Sequence, residues 1–177
     1  MDLLTSTKSG GKNFDCSRNQ LTSLMGAPQT GGGYFDCSRN QLTTLEGAPQ
    51  TVKEKFSCGG NKLGSLVGAP QTVGGHFTCY GNQLTSLEGA PQKVSGVFEC
   101  ERNNLSLAEI AHFKALREGS IRIGYCDYTD EEIDKAVKII KLHEHLNQTI
   151  KQKDNLPMAR AVSNVQVSAT RTGKLKI

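Results

Sequence analysis

Five cysteines stand 21 residues apart, at Cys16, Cys37, Cys58, Cys79 and Cys100, with a sixth at Cys126. A cysteine can attack as a thiolate, ligate a metal or pair as a disulfide. Zinc sites want close C-x₂-C pairs, often with histidine, and neither accompanies these residues. In-register neighbours on stacked strands would lie close enough to bridge, but their side chains point the same way rather than at one another. The five therefore read as small apolar fillers of a narrow slot, and Cys126 as the one thiol to watch for reactivity. The histidines are His76, His112, His143 and His145. The last two are two residues apart, which a helix aims in different directions, whereas a metal pair wants three or four. Gly31–Gly33 precedes a strand pattern rather than a helix, so it is not a phosphate loop. Carboxylates are scattered, and no Ser-His-Asp or Cys-His set follows from spacing. The reading is a non-enzymatic chain with no metal and no cofactor.

The same period governs more than cysteine. Phe recurs at 14, 35, 56, 77 and 98, Asn at 19, 40, 61, 82 and 103, and Leu at 21, 42, 63, 84 and 105. A second Leu follows at 24, 45, 66 and 87, and Gly-Ala-Pro closes each unit. A 21-residue unit is too short for a helix pair and fits one strand plus a return. Phe-x-Cys puts both side chains on one face of a strand. Gly-Ala-Pro marks the return path. The expected fold is a β-rich α/β solenoid: short parallel strands about 4.8 Å apart, irregular returns and an α-helical C-terminal cap. Phe fills the core. Asn reads as a buried amide bonding the backbone of its own and the next coil.

The unit F-x-C-x-x-N-x-L-x-x-L resembles the leucine-rich repeat signature L-x-L-x-x-N-x-L, with Phe and Cys in the two strand positions. The wording NQLTSL at 19–24 and 82–87, and NQLTTL at 40–45, is similar to the short bacterial subtype of secreted effectors. The full unit, through Glu-Gly-Ala-Pro, also resembles short repeat proteins of tailed bacteriophages and bacteria. The resemblance covers about residues 3–107. It implies a leucine-rich-repeat-like scaffold and, more sharply, a phage-encoded inhibitor that occupies a host protein, such as a defence factor. Some of the effectors carry a ubiquitin ligase with a Cys-x-Asp motif. This chain has Cys126-Asp127 and only about 70 residues after the repeats, so that activity is not carried over.

Three segments are expected: a solenoid over 1–107, a helix-strand-helix cap over 108–153 and a basic tail over 154–177. Ser106-x-x-Glu109 and Thr129-x-x-Glu132 are capping-box signatures. The first predicts a helix from Leu107 to Glu118, ended by Gly119. Ile121/Ile123/Tyr125 then alternate as one more strand, parallel to the stack. The second box predicts a helix to about Lys153, with Ile133, Val137, Ile140 and Ile139, Leu142, Leu146, Ile150 making a wide apolar face. That face caps the stack, or part of it is a dimer or partner surface. At the other end Leu3 matches Leu24, so the chain starts mid-coil and leaves an edge near Phe14 open to covering or self-association.

The formal net charge is +4. Residues 14–105 balance seven basic against seven acidic side chains, whereas Lys151 onward carries six against one. Lys151, Lys153, Arg160, Arg171, Lys174 and Lys176 thus offer an alternative, nucleic-acid contacts through the tail, which the neutral repeat block disfavours. No run approaches the ~20 apolar residues of a membrane span, and the opening MDLLTSTKSGGK lacks the pattern of a signal peptide. A cytoplasmic protein with no membrane partner is expected.

What varies within the unit points to function. The outward strand positions, expected to form a concave face, carry Asn13, Tyr34, Lys55, His76, Val97 before Phe and Asp15, Asp36, Ser57, Thr78, Glu99 after it. Ser17, Ser38, Gly59, Tyr80 and Glu101 follow Cys. These change while the scaffold barely does. Tyr34, Asp36, Lys55, His76, Thr78, Tyr80 and Glu99 are the candidate contacts for a host protein, tyrosine being a favoured interface anchor. The competing view is that they are simply solvated, with tyrosine lying on its neighbours.

Overall fold

The structure is a computed structural model that describes residues 8–10, 13–29, 32–117, 121–124 and 126–154, with side chains described within 13–152. In chain order its elements begin with β1 (Lys8–Gly10), β2 (Asn13–Asp15), β3 (Phe35–Asp36), β4 (Thr51–Val52), β5 (Phe56–Ser57) and β6 (Thr72–Val73). They continue with β7 (Phe77–Thr78), β8 (Lys93–Val94), β9 (Val97–Glu99), α1 (Leu107–Leu116), β10 (Arg122–Ile123) and α2 (Asp130–Asp154). The result is a β-solenoid of about five turns with a C-terminal helix. Two compact units divide the chain, 1–141 and 142–177, so the coils, α1, β10 and the first turns of α2 belong together.

The main sheet has the order β1-β2-β3-β5-β7-β9-β10. From β2 to β9 it is parallel, with Phe14, Phe35, Phe56, Phe77 and Phe98 in register. Register is fixed because a slip of one residue would turn every Phe and Cys to solvent. The rings lie 4.8–5.4 Å apart between centroids and become more parallel along the stack, from 30° to 8°. Cys, Leu, the Ala of Gly-Ala-Pro and the Val of the returns join them in one core, which Ile110, Phe113, Ile123 and Ile133 extend.

The returns are less irregular than the sequence implies. β4, β6 and β8 form a second parallel sheet, with Val52, Val73 and Val94 buried behind it. The turns leaving Leu45, Leu66 and Leu87 need glycine twice over. Gly47, Gly68 and Gly89 have φ of 92°, 88° and 80°. A Cβ on them would stand 2.4–2.6 Å from the backbone of the preceding coil. Only glycine combines left-handed φ with so close an approach.

At each end of the stack one further strand is added. β1 pairs antiparallel to β2, Ser9 opposite Phe14. The strand at Phe14 is therefore not the edge expected there; among the described residues the edge is β1, which reverses direction instead of completing a missing coil. At the other end Phe113 of α1 is 5.1 Å from Phe98 and adds a tilted sixth ring. Ser106 accepts the Glu109 N–H at 3.2 Å, as a cap should. Glu109 does not close the reciprocal bond of the box. Its carboxylate instead accepts the Leu87 N–H at 2.7 Å and the Ser86 hydroxyl at 3.2 Å, terminating the last return. β10 pairs parallel to β9 as expected; Gly119 and Tyr125 lie outside the described residues.

The second box closes fully: Thr129 and Glu132 each bond the other's backbone N–H. These bonds hold the Glu132 carboxyl below its usual range. Of the wide apolar face expected on α2, Ile133 is buried and Val137 packs on the core, while Ile139 is exposed. Leu142, Leu146 and Ile150 of the second unit are exposed as well.

Candidate functional site on the outward sheet face

Below the face, the cysteine and asparagine ladders form its rigid floor. Asn61 shows the pattern: its amide donates to Cys58 O at 3.0 Å and to Cys37 O at 3.1 Å, and its oxygen accepts the Leu42 N–H at 3.0 Å. Asn40, Asn82 and Asn103 repeat these bonds. The partner coil is the preceding one, not the next as expected from sequence.

The ladder thiols are buried and unpaired with one another. Cys37, Cys58 and Cys79 donate to carbonyls of the following coil at 3.2–3.5 Å. Burial pushes Cys16 and Cys100 up to about 12 and raises the other three well above their ordinary value. Such thiols are poor nucleophiles. Cys126 is half-buried, donates to Tyr128 O at 3.2 Å, and burial raises it too. Among the described residues no three His, Cys, Asp or Glu gather as a metal site requires.

On the outward side the first coils enclose a polar groove of about 580 Å³. Asp15, Ser17, Arg18 and Asn19 line it from the first coil, and Asp36, Ser38 and Arg39 from the second. Lys55, Ser57 and, from the next coil, Tyr80 complete it. Asp15 and Asp36 each bend back to accept the N–H of the serine two residues on, both at 2.9 Å.

The sequence candidates divide. Asp36, Lys55 and Tyr80 come together in the groove. Tyr34 is half-buried on the face, and its N–H bonds the Asn13 side chain. His76 is exposed, its Nδ1 accepting the Val97 N–H at 3.3 Å. Glu99 is half-buried at the far end. Thr78 is not available as a surface contact: it is 2 % exposed, and its hydroxyl shares a 2.9 Å hydrogen bond with Ser57. Tyr80 does lie on a neighbour, because a Cβ at Gly59 would meet its ring at 2.4 Å. Gly59 thus leaves the space that the tyrosine ring covers.

Sequence reasoning passed over Arg18 and Arg39. Their signal was the position itself, which reads Arg18, Arg39, Gly60, Gly81, Arg102 along the stack. Of the tail candidates, Lys151 is exposed on α2. Lys153 falls in α2 with its side chain outside the described residues, and Arg160, Arg171, Lys174 and Lys176 lie outside them altogether. Among the described residues no helix is long and apolar enough to cross a membrane.

Fold and site together define a β-solenoid displaying a polar groove on an otherwise repetitive sheet. Comparison with family models, curated proteins and solved structures gives no match.

Proposed function

We propose that the protein is a non-enzymatic binding module whose outward sheet face takes a protein partner. What carries the reading is a contrast within one chain. Phe, Cys, Asn and Leu repeat unchanged in every coil, while the positions facing out change from coil to coil. A scaffold held that constant makes a rigid display, and rigid display lowers the ordering cost of association. The groove adds a concave, polar feature to that face, with Tyr80 as an aromatic anchor at its rim.

The sharper form is a phage-encoded protein that inhibits a host defence factor in the host cytoplasm by occupying its surface. It rests on the wording of the repeats. The test is a tagged pull-down from nuclease-treated bacterial lysate, with the intact chain and with Tyr34, His76 and Tyr80 all changed to Ala. A partner held by the intact chain and lost by the variant is the expected result. A partner held equally by both would overturn the face assignment. Recovery abolished by nuclease would assign binding to nucleic acid instead.

A further inference from the structure

We infer that the groove of the first coils is a carboxylate receptor, in which Arg18 and Arg39, with Lys55 beside them, hold an acidic segment of the partner. The inference rests on the reading that this face binds protein, and adds the chemistry of what it binds.

Arg18 and Arg39 occupy the same rung of adjacent coils. Their N–H groups donate to Ser38 O and Gly59 O at 2.9 and 2.8 Å, in register. The two backbones are therefore about 4.8 Å apart, which stacks like charges. Both residues also sit in left-handed backbone, with φ of 56° and 55°. That region disfavours a side chain, and the next two coils place Gly60 and Gly81 there, with φ of 68° and 62°. The scaffold thus accepts glycine at this rung, so the backbone does not require arginine in the first two coils.

Among the described residues neither arginine forms an ion pair, in contrast to Lys114 with Asp134 and Lys135 with Glu131. Asp15 and Asp36 are close by, but each is turned back onto its own turn. Two guanidinium forks with their donors unused, and the hydroxyls of Ser17 and Ser38, line one groove. Donors exceed acceptors there, and a guanidinium fork fits a carboxylate in two parallel bonds. A carboxylate between the two forks would also relieve their mutual repulsion. Asp15 and Asp36 oppose any anion in the groove, so a short ligand that reaches only the two forks and Lys55 is favoured over a long polyanion that also runs past the carboxylates.

The glycine rungs supply a test in which folding is protected. Labelled hexaglutamate, hexalysine and a single-stranded oligonucleotide are titrated into the full chain and followed by fluorescence anisotropy. The variants are R18G/R39G, R18Q/R39Q and R102G. Arg102 shares the left-handed backbone, φ 55°, but does not line the groove, and so serves as the control. Hexaglutamate should bind the intact chain and R102G alike, and bind both double variants roughly tenfold or more weakly. The melting temperature of R18G/R39G should be unchanged or higher. R18Q/R39Q keeps the backbone type should the glycine pair misfold. Equal binding of hexaglutamate by all four proteins, no binding at all, or a preference for the oligonucleotide would overturn the inference. The lysate partner separates the two levels. If it is lost on changing Tyr34, His76 and Tyr80 but kept by R18G/R39G, the carboxylate assignment falls and the protein-binding face stands. If every variant keeps it, the face assignment itself falls.

Discussion

Replacing Asn61 by alanine should be among the most damaging changes a polar residue of this protein can suffer. The side chain is 7 % exposed and makes three bonds to backbone. The Leu42 N–H bonds the Asn61 oxygen and nothing else given by the structure. Its loss leaves a buried donor unpaired, at about 1–3 kcal/mol. Cys37 O and Cys58 O fare better, because each also accepts from a second amide, that of Asn40 or Asn82. Losing one of two donors costs each carbonyl about 0.5–1.5 kcal/mol. The sum is roughly 2–6 kcal/mol, against a total of about 5–15 kcal/mol for an ordinary domain. The assay is urea unfolding followed by far-ultraviolet circular dichroism, beside an exposed control, Gln83→Ala. A loss under about 1 kcal/mol, or one equal to the control's, would refute the reasoning. Because coils contact chiefly their neighbours, the break should also broaden the transition, with the coils before it melting first.

Phe77→Ala, with ring neighbours at 5.4 and 5.1 Å, should cost about 3–5 kcal/mol in the same assay; Phe14, at the end of the ladder and 7 % exposed, should cost less. Gly68→Ala should destabilise far more than Gly26→Ala, since both have left-handed φ but only Gly68 would drive a Cβ to 2.4 Å from backbone; equal melting temperatures would contradict the close approach. The thiols set an alkaline limit. Cys16 and Cys100 stay protonated to about 12 when folded but ionise near 8.5 when unfolded. Above that value the unfolded chain binds fewer protons, so stability should be level below about pH 8.5 and fall as pH climbs toward 12. Urea midpoints at pH 7 and pH 10 check the sign. Under a thiol reagent at neutral pH, Cys126 should label before the five ladder cysteines, which should react only on unfolding.

The ladders were legible because each rung repeats a residue type that has one place to go: Phe into the core, Asn under the turn, Gly where backbones touch. The second sheet carried the same clock, in Thr51-Val52, Thr72-Val73 and Lys93-Val94, but two-residue strands are too short for alternation to declare them. The match of Leu3 to Leu24 implies an incomplete first coil, whereas Lys8–Gly10 runs antiparallel to the stack, a reversal that the repeat pattern does not encode. The direction of the Asn bonds was hidden because identical coils look alike from either side. At the site, outward direction did not fix exposure: Thr78 points out and is still buried. The left-handed rung was the deepest loss. A sequence shows Arg18 and Arg39 as ordinary surface arginines, and only φ reveals that they sit where glycine would be easier.

The uniform interface between coils has a consequence for how such a protein changes over time. Phe35 meets Phe56 much as Phe56 meets Phe77, and Asn61 serves Leu42 as Asn82 serves Leu63. Excising residues 56–76 would bring Phe77 against Phe35 and Asn82 under Leu42, restoring every bond of the frame. On the outer face the same event would set Tyr80 beside Ser38 in place of Gly59. Unequal crossing-over in whole repeats would therefore reshuffle the outward-facing residues one row at a time while the fold stays constant.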